Sequence, residues 1–394
     1  MFSHTLLRWL DQLGAALVCR AMAFVVRDSK GRGLVPDRRK VERIVIVKLC
    51  CLGDALLMGP ALRAIRCAYP HAEITVLTTA RTSGVFPRLA CVERVLELPL
   101  SLGPFEILRC LGNSAPKRPD LLYCFEPWYP AATLIACLTG ARCKVGFVCP
   151  RAPYNRSLFD LVVAYEEDKH VVEAYLALAE AGIGRRWLDK QLQLSITAQE
   201  EQTADRFFQE HLIERPVVGL FPGSSPRWRQ KRWPSDRFAL LADRLVCELG
   251  LGVLILTGKG QERVSSEVFG QMRQRAVVVP GQFSVGELAA IIKRCSLLVS
   301  ADSSPMHIAA SVGTPVVALF GPVNPTLYRP YLTSGMFCIV RRELPCSPCV
   351  AFGKALPCPI DFECIRSIEV DEVFDAVRSL LASSRGGQSV ARCT

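Results

Sequence analysis

The sequence predicts an α/β protein made of two successive doubly wound units, and three observations carry that prediction. From Val41 onward, short apolar runs of strand type alternate with segments whose apolar residues recur at helical spacing, the pattern of parallel βαβ crossovers. The alternation gives way to a polar helical stretch near residues 196–215 and begins again at Pro216. Runs such as Val316 to Phe320 have no polar position, so both faces of such a strand must be covered. With 394 residues, the chain is long enough for two domains with separate cores. The expected architecture is two facing Rossmann-like domains with an interdomain cleft, without a G-x-G-x-x-G fingerprint in either.

Residues 1–40 stand outside the alternation, as an N-terminal amphipathic helix and a basic linker. Residues 2–27 are mostly apolar but are broken by Arg8, Asp11 and Arg20. No run there reaches eighteen uncharged residues, so a membrane-spanning helix is not expected, and no small-residue cleavage site follows. Two readings stay open: a helix packed on the fold, or an interfacial helix whose Lys and Arg neighbours touch anionic lipid headgroups.

Residues 41–195 form the first domain. VERIVIVKL is a strand, CLGD a turn, ALLMGPALRAIRCAY a helix and HAEITVLTT the next strand. Further strands are expected at Val95 to Leu98, Leu121 to Phe125 and Val145 to Phe147, with TLIACLTG a buried helix between the last two and EAYLALAEAG a helix after them. Thr197 with Glu200 three residues later predicts a capping box, which opens a linker helix in residues 196–215. The second domain, residues 216–383, repeats the pattern from PVVGLFP to SLLVSAD. SIEVDEVFDAVRSLLAS is a closing amphipathic helix, and residues 384–394 are expected to be a disordered tail.

The formal charge of +11 and a pI near 8.9 favour an anionic partner. Nucleic acid is not the expected one, because the chain has no recognition-helix pattern, no aromatic-interleaved basic stripe and no Cys/His finger. Half of the residues are hydrophobic and the mean hydropathy is +0.24, values of a well-cored protein. Most of the eighteen cysteines, such as Cys67, Cys137, Cys247 and Cys295, sit among apolar neighbours, as small buried hydrophobes in a reducing compartment do.

In an open parallel sheet, function lies at the carboxyl ends of strands. Three loops at such ends carry unusual chemistry: LCCLGD, GSSPRWRQKRWP and ADSSPMH. The third belongs to residues 299–321, where an apolar strand runs into the polar turn Asp302-Ser303-Ser304 and a short helix opens at Pro305 and stops at Gly313. A hydroxyl-rich turn at a free helix N-terminus is suited to an anion, and it is also what an ordinary βα connection looks like.

Three segments together resemble the glycosyltransferase family 9 heptosyltransferases: VERIVIVKLCCLGDALLMGPALRAIRCAYPHAEITVL, GLFPGSSPRWRQKRWPSDRFALLADRL and SADSSPMHIAASVGTPVVALFGPVNP. The resemblance covers residues 41–383. It implies a GT-B fold with an N-terminal acceptor domain and a C-terminal nucleotide-sugar (donor) domain. It also implies inverting transfer of heptose from ADP-heptose to a lipid-anchored, phosphorylated lipopolysaccharide inner-core acceptor. Such an enzyme needs no cofactor for catalysis and works in the cytoplasm, peripherally at the inner face of the inner membrane.

By the same resemblance, Asp54 matches the catalytic base and Lys231 the lysine that contacts the leaving phosphates. Inverting transfer needs such a base and such a cation, but Asp54 is also suited to capping its helix and Lys231 to a solvated basic loop with Arg227, Arg229 and Arg232. Ser224 and Ser225 match a phosphate-contacting pair, Asp302 the aspartate on the donor sugar, and Ser303 and Ser304 the amides that meet the diphosphate. His307 is open between a ligand contact and a structural hydrogen bond, and Glu262 lies in TGKGQER, near where the family places its adenosine contacts, as a candidate for the ribose hydroxyls. Trp233 is read as a packing anchor. The chain departs from the family's commonest pattern at Ser304, where many members have glycine, and in the first loop, where many have a basic or hydroxyl residue near Cys50 or Cys51. Acceptor specificity is therefore open: a protein or a different glycan remains, as do a sugar-nucleotide epimerase and a non-catalytic sugar-nucleotide-binding protein.

Cys346, Cys349, Cys358 and Cys364 form a C-x2-C-x8-C-x5-C cluster within residues 346–364. The pattern allows a structural zinc or iron site, reduced thiols or a disulfide.

Overall fold

The computed structural model describes residues 14–24, 37–89, 91–213, 216–332, 336–351 and 353–386. By internal packing the chain divides into two units between Lys190 and Gln191. In the first, residues 14–24 form helix α1. The chain then runs β1 (Arg43–Val47), α2 (Leu52–Leu57), α3 (Gly59–Ala68), β2 (Glu73–Thr78), β3 (Arg94–Glu97), α4 (Pro104–Ser114), β4 (Leu121–Cys124), α5 (Pro130–Leu138), β5 (Cys143–Val148), α6 (Asn155–Leu158), β6 (Leu161–Ala164) and α7 (Val171–Ile183). The six strands make one parallel sheet in the order β3-β2-β1-β4-β5-β6, with Ile46 opposite Val76 on one side and Tyr123 on the other. β1 is β-branched at four of its five positions and buried at four, as a strand covered on both faces requires.

The second unit opens with α8 (Ala198–Glu210), whose capping box between Thr197 and Glu200 is formed as expected. It continues β7 (Val217–Phe221), α9 (Ser235–Leu249), β8 (Gly252–Leu256), α10 (Glu262–Gln271), β9 (Val277–Val279), α11 (Val285–Lys293), β10 (Leu297–Ala301), α12 (Ser304–Val312), β11 (Val316–Phe320), α13 (Pro325–Tyr328), β12 (Phe337–Arg341), β13 (Val350–Ala351), β14 (Lys354–Ala355), α14 (Glu363–Arg366) and α15 (Val370–Gly386). Its parallel sheet has the order β12-β11-β10-β7-β8-β9, and β13 and β14 pair as a separate antiparallel ribbon. The stretch 299–321 folds as read: a buried strand, a short helix ended by Gly313 at φ +80°, and a second strand buried at every position. α8, expected as the link between domains, packs on α11 within this unit.

Each sheet reverses direction at its first strand. From β1 the chain builds outward through β2 and β3, then returns to place β4, β5 and β6 on the other side; β7 and β10 repeat this. At each reversal the following loops diverge and leave a crevice at the carboxyl ends of two neighbouring strands. The cores lie on the sheet faces. Val45, Leu122, Ala132 and Ile135 pack together in the first unit, and Trp233, Phe238, Leu245, Val299, Phe374 and Val377 in the second.

The edge strands β6 and β12 were not anticipated, and both are half-buried with no clean alternation. The C-terminal helix continues to Gly386, past the expected start of the tail at 384, and residues 387–394 lie outside the described residues. Of the expected N-terminal helix and linker, residues 1–13 and 25–36 also lie outside them. Within α1, Cys19 is fully buried with its thiol 3.6 Å from the Pro130 carbonyl, whereas Leu17, Val18 and Phe24 are exposed. Among the described residues no helix is long and apolar enough to cross a membrane.

Gly182 in α7 tests this packing. Its carbonyl accepts the Tyr69 hydroxyl at 2.9 Å, and a Cβ at this position would overlap the Tyr123 ring. Gly182→Ala should therefore cost about 1–3 kcal/mol, read as a lowered denaturant midpoint with unchanged slope.

Candidate active site

In the first unit the crevice lies between β1 and β4. Both strands end in a charged residue that has no exposed face to occupy: Lys48 is 1% exposed and Glu126 4%. A lone buried ammonium is strongly disfavoured, and this one has two carboxylate partners, Glu126 at 3.2 Å and Asp54 at 3.5 Å. Glu126 Oε1 also accepts the backbone N–H groups of Leu49 at 2.8 Å and Cys50 at 3.0 Å. The Cys50 thiol lies 3.5 Å from both Glu126 oxygens. Burial pushes the Lys48 pKa down, but the Glu126 carboxylate, Tyr175 and Asp54 outweigh it and hold it well above the ordinary value. Lys48 Nζ also sits 5.6 Å from the Tyr175 ring centre.

Asp54 lies in the first turn of α2, but the residue at the cap position is Cys51, so the capping reading of Asp54 does not hold. Its carboxylate turns to Lys48 and keeps 21% of its side-chain surface exposed.

In the second unit the crevice lies between β7 and β10, and it gathers residues from two of the loops singled out in the sequence. Lys231, at the end of the 3-10 turn Pro226–Lys231, pairs with Asp302 at 2.5 Å. Its Nζ is also 5.0 Å from the Trp228 ring centre, and Arg227 covers the same ring at 5.6 Å, so Trp228 orients the loop's cations. Asp302 follows β10 directly, and Ser303 caps α12 in an extended conformation without a side-chain bond to the first-turn amides. The Ser303 hydroxyl pairs instead with Ser300 at 2.8 Å. Ser304 is the first residue of α12, which puts Pro305 at the second helical position.

His307 is 3% exposed, and its Nδ1 has no hydrogen-bond partner among the described residues. Burial lowers its pKa to about 4; the Asp302 carboxylate opposes the shift and Lys231 adds to it. It is therefore a neutral imidazole beside the Lys231–Asp302 pair.

Ser224 and Ser225 differ. Ser224 is buried, donates its hydroxyl to the Trp228 carbonyl at 2.9 Å and accepts from Arg232 Nε at 3.0 Å, so it braces the loop; Ser225 is exposed. Trp233 is the anchor expected of it, 1% exposed, with its indole N–H on the Ile368 carbonyl at 2.9 Å. Glu262 opens α10 after β8 and is exposed, with its carboxylate accepting the Gly260 N–H at 3.1 Å. The neighbouring Gln261 was not singled out. A Cβ on Gly258 would come within 2.9 Å of its side chain, and its Oε1 is buried without a partner among the described residues.

Of the three readings open for the four-cysteine cluster, the structure has the thiols unbridged. Among the described residues no group of three or more His, Cys, Asp or Glu side chains is arranged to hold a metal ion, and all four cysteines are free. The Cys358 sulfur accepts the Phe362 N–H at 3.1 Å, and burial with the neighbouring thiols pushes Cys364 up to about 11.

Lys48, Glu126 and Trp228, like Gln261, were passed over in the sequence reading. The first two had a signal, each being a charge placed directly at the end of an apolar strand.

A profile of glycosyltransferase family 9 (heptosyltransferase) matches residues 129–359. The chain belongs to this family. It is 28% identical over 305 residues to lipopolysaccharide heptosyltransferase 2 of Escherichia coli, covering 73% of this chain and 85% of that protein. It is 26% identical over 308 residues to lipooligosaccharide heptosyltransferase 2 of Haemophilus influenzae, covering 74% and 86%. Among solved structures, a family 9 glycosyltransferase from Veillonella parvula matches with a TM-score of 0.71 at 24% identity, over 87% of this chain and 98% of that one. E. coli ADP-heptose lipopolysaccharide heptosyltransferase II matches with a TM-score of 0.68 at 22% identity, over 87% and 99%. At these identities the structural likeness speaks for the fold, which is GT-B. This chain is thus a family 9 glycosyltransferase.

The buried imidazole of this family 9 enzyme makes its stability pH-dependent. Between pH 6.5 and about 4 the unfolded chain binds a proton at His307 that the folded chain does not. The contribution is therefore complete above the first value and is lost as the pH falls toward the second. Denaturant melts should show stability falling across that window by about 3 kcal/mol, and His307→Gln should flatten the slope.

Proposed function

We propose that this enzyme transfers heptose from ADP-heptose to a lipopolysaccharide inner-core acceptor, with inversion at the anomeric carbon. The observation that carries the reading is the Lys231–Asp302 pair, set at the switch point of the second sheet beside the N-terminus of α12. A cation and a helix N-terminus together favour a diphosphate, and a carboxylate next to them accepts hydrogen bonds from sugar hydroxyls. The names of the heptosyltransferase relatives support the sugar and the acceptor class, and the solved E. coli enzyme bears ADP-heptose in its name.

In the proposed reaction the acceptor hydroxyl gives its proton to Asp54 as its oxygen bonds to the anomeric carbon. The bond from that carbon to the phosphate oxygen breaks, and its electron pair leaves with ADP. Lys231 and the first amides of α12, from Ser303 and Ser304 onward, receive the developing negative charge. Ser225 and Glu262 are the remaining contacts assigned to the donor, and no cofactor takes part. The acceptor's lipid anchor places the enzyme peripherally at the cytoplasmic face of the inner membrane, where a net charge of +11 favours an anionic surface.

Incubation with ADP-heptose and truncated lipopolysaccharide acceptors, followed by mass spectrometry, should show the acceptor gaining one heptose with release of ADP. ADP-heptose binding without any product across such acceptors would overturn the reading. Asp54→Asn should lower kcat by about 10²–10⁴-fold while donor binding persists, and Lys231→Met should lower it by about 10²–10³-fold and weaken donor binding as well.

A further inference from the structure

We propose that Lys48 and Glu126 are positioning residues for Asp54: a sealed ion pair that fixes where the Asp54 carboxylate points and sets the pH range over which it accepts a proton. The inference rests on the reading of Asp54 as the base.

Three observations carry it. Lys48 is 1% exposed at the end of the central strand β1, so its ammonium has no freedom to swing out to solvent. Glu126 is 4% exposed, and its Oε1 is gripped by the Leu49 and Cys50 N–H groups as well as by Lys48, which leaves it no other orientation. Asp54, the third member, shares the same ammonium and alone keeps appreciable exposure, 21%. An acid–base group has to reach a reacting proton, and a group that only orients it is best sealed away. Here the two functions are divided between a closed pair and an open carboxylate.

Other charged and titratable groups face this one from the elements packed around it. Those that act on Lys48 are Glu126 from the loop after β4, Tyr175 from α7, Asp54 from α2 and Cys50 from the intervening turn. Tyr165 acts on Tyr175 in turn. α2 also packs on α3, on α7 and on the 3-10 segment Ser83–Leu89, which carries Arg88. On α3, Arg63 is paired with Asp189 and Arg66 with Glu93, and on α7, Glu173 is paired with Lys190.

The division of charge predicts shifts of opposite sign. Lys48→Met removes the cation and leaves Asp54 near a second carboxylate, which disfavours its ionised form; the acid limb of the kcat–pH profile should move up by about one unit. Glu126→Gln leaves the cation uncompensated beside Asp54, and the limb should move down by a similar amount, about one unit. The double variant Lys48→Met/Glu126→Gln removes both charges, and its limb should fall between the two. Plateau kcat should drop about tenfold to a hundredfold in each single variant through loss of aim, with ADP binding unchanged. Mere structural damage lowers kcat without moving the limbs in opposite directions.

The experiment is the kcat–pH profile of wild type, both single variants and the double variant, with ADP binding and thermal melts measured alongside and with Asp54→Asn as reference. Opposite shifts sustain the inference. An inactive Asp54→Asn with unshifted limbs in the Lys48 and Glu126 variants overturns the inference and leaves the base reading intact. An active Asp54→Asn overturns both. Should Lys48→Met fail to fold, Glu126→Gln must move the limb down and the double variant must bring it back toward wild type; an unshifted Glu126→Gln limb overturns the inference.

Discussion

The structure depends on one topological constraint: a parallel sheet wound in both directions from a central strand has to leave a gap where the winding reverses. Connections leave to opposite sides there, so the loops after β1 and β4, and after β7 and β10, diverge. Charged side chains can enter the gap without displacing core. Both units place their charges there. Lys48, Glu126 and Asp54 meet beside β1 and β4, and Lys231, Asp302 and His307 beside β7 and β10.

The two groups are built on opposite physical lines. In the first, the cation is the most deeply buried member, and its carboxylate partner Glu126 is held by backbone donors from the adjacent turn. A low local dielectric strengthens every interaction in such a group, and each member is costly to remove alone. In the second, Lys231 comes from a short 3-10 turn, rests over Trp228 and keeps 16% of its side chain exposed. A cation held this way retains donors for an incoming anion. The first arrangement suits a group that must keep one geometry, and the second suits a group that exchanges its partners when a charged ligand arrives.

The sequence made the central elements legible, and of the four edge strands it showed β3 and β9 but not β6 and β12. β11 announces itself because a strand covered on both faces has no polar position, and the capping box at Thr197 and Glu200 because its two bonds link residues three apart. β6 and β12 lie at sheet edges, where partial exposure relaxes the pattern, and nothing local separates them from loops. The site divides similarly. Asp302, Ser303 and Ser304 are contiguous and follow a recognisable strand. The partnership of Glu126 with the turn after β1 spans 77 residues and exists only because β4 pairs beside β1, with Ile46 opposite Tyr123. Ser224 shows the reverse case: a hydroxyl in a phosphate-site pattern that the fold uses on its own loop, bonded to Trp228 and Arg232.

Cys51 explains how Lys48 and Asp54 come to face each other so soon after a strand. An extended chain would carry residue 54 well away from residue 48, and a helix starting at once would carry it around the axis. Instead the backbone at Cys51 takes φ 68° and ψ 98°, a conformation that costs a residue with a Cβ on the order of 1–3 kcal/mol. Such a conformation persists only where its surroundings over-determine it. On the upstream side the Leu49 and Cys50 amides are fixed to Glu126, and on the downstream side the Ala55 N–H closes onto the Cys51 carbonyl at 3.0 Å. The reversal at Cys51 then folds the first turn of α2 back over the end of β1, and Asp54 arrives above the buried ammonium. Glu126 therefore acts twice, by neutralising Lys48 and by holding the turn that returns Asp54 to it. The same carboxylate that stabilises the buried charge fixes the path of the chain around it.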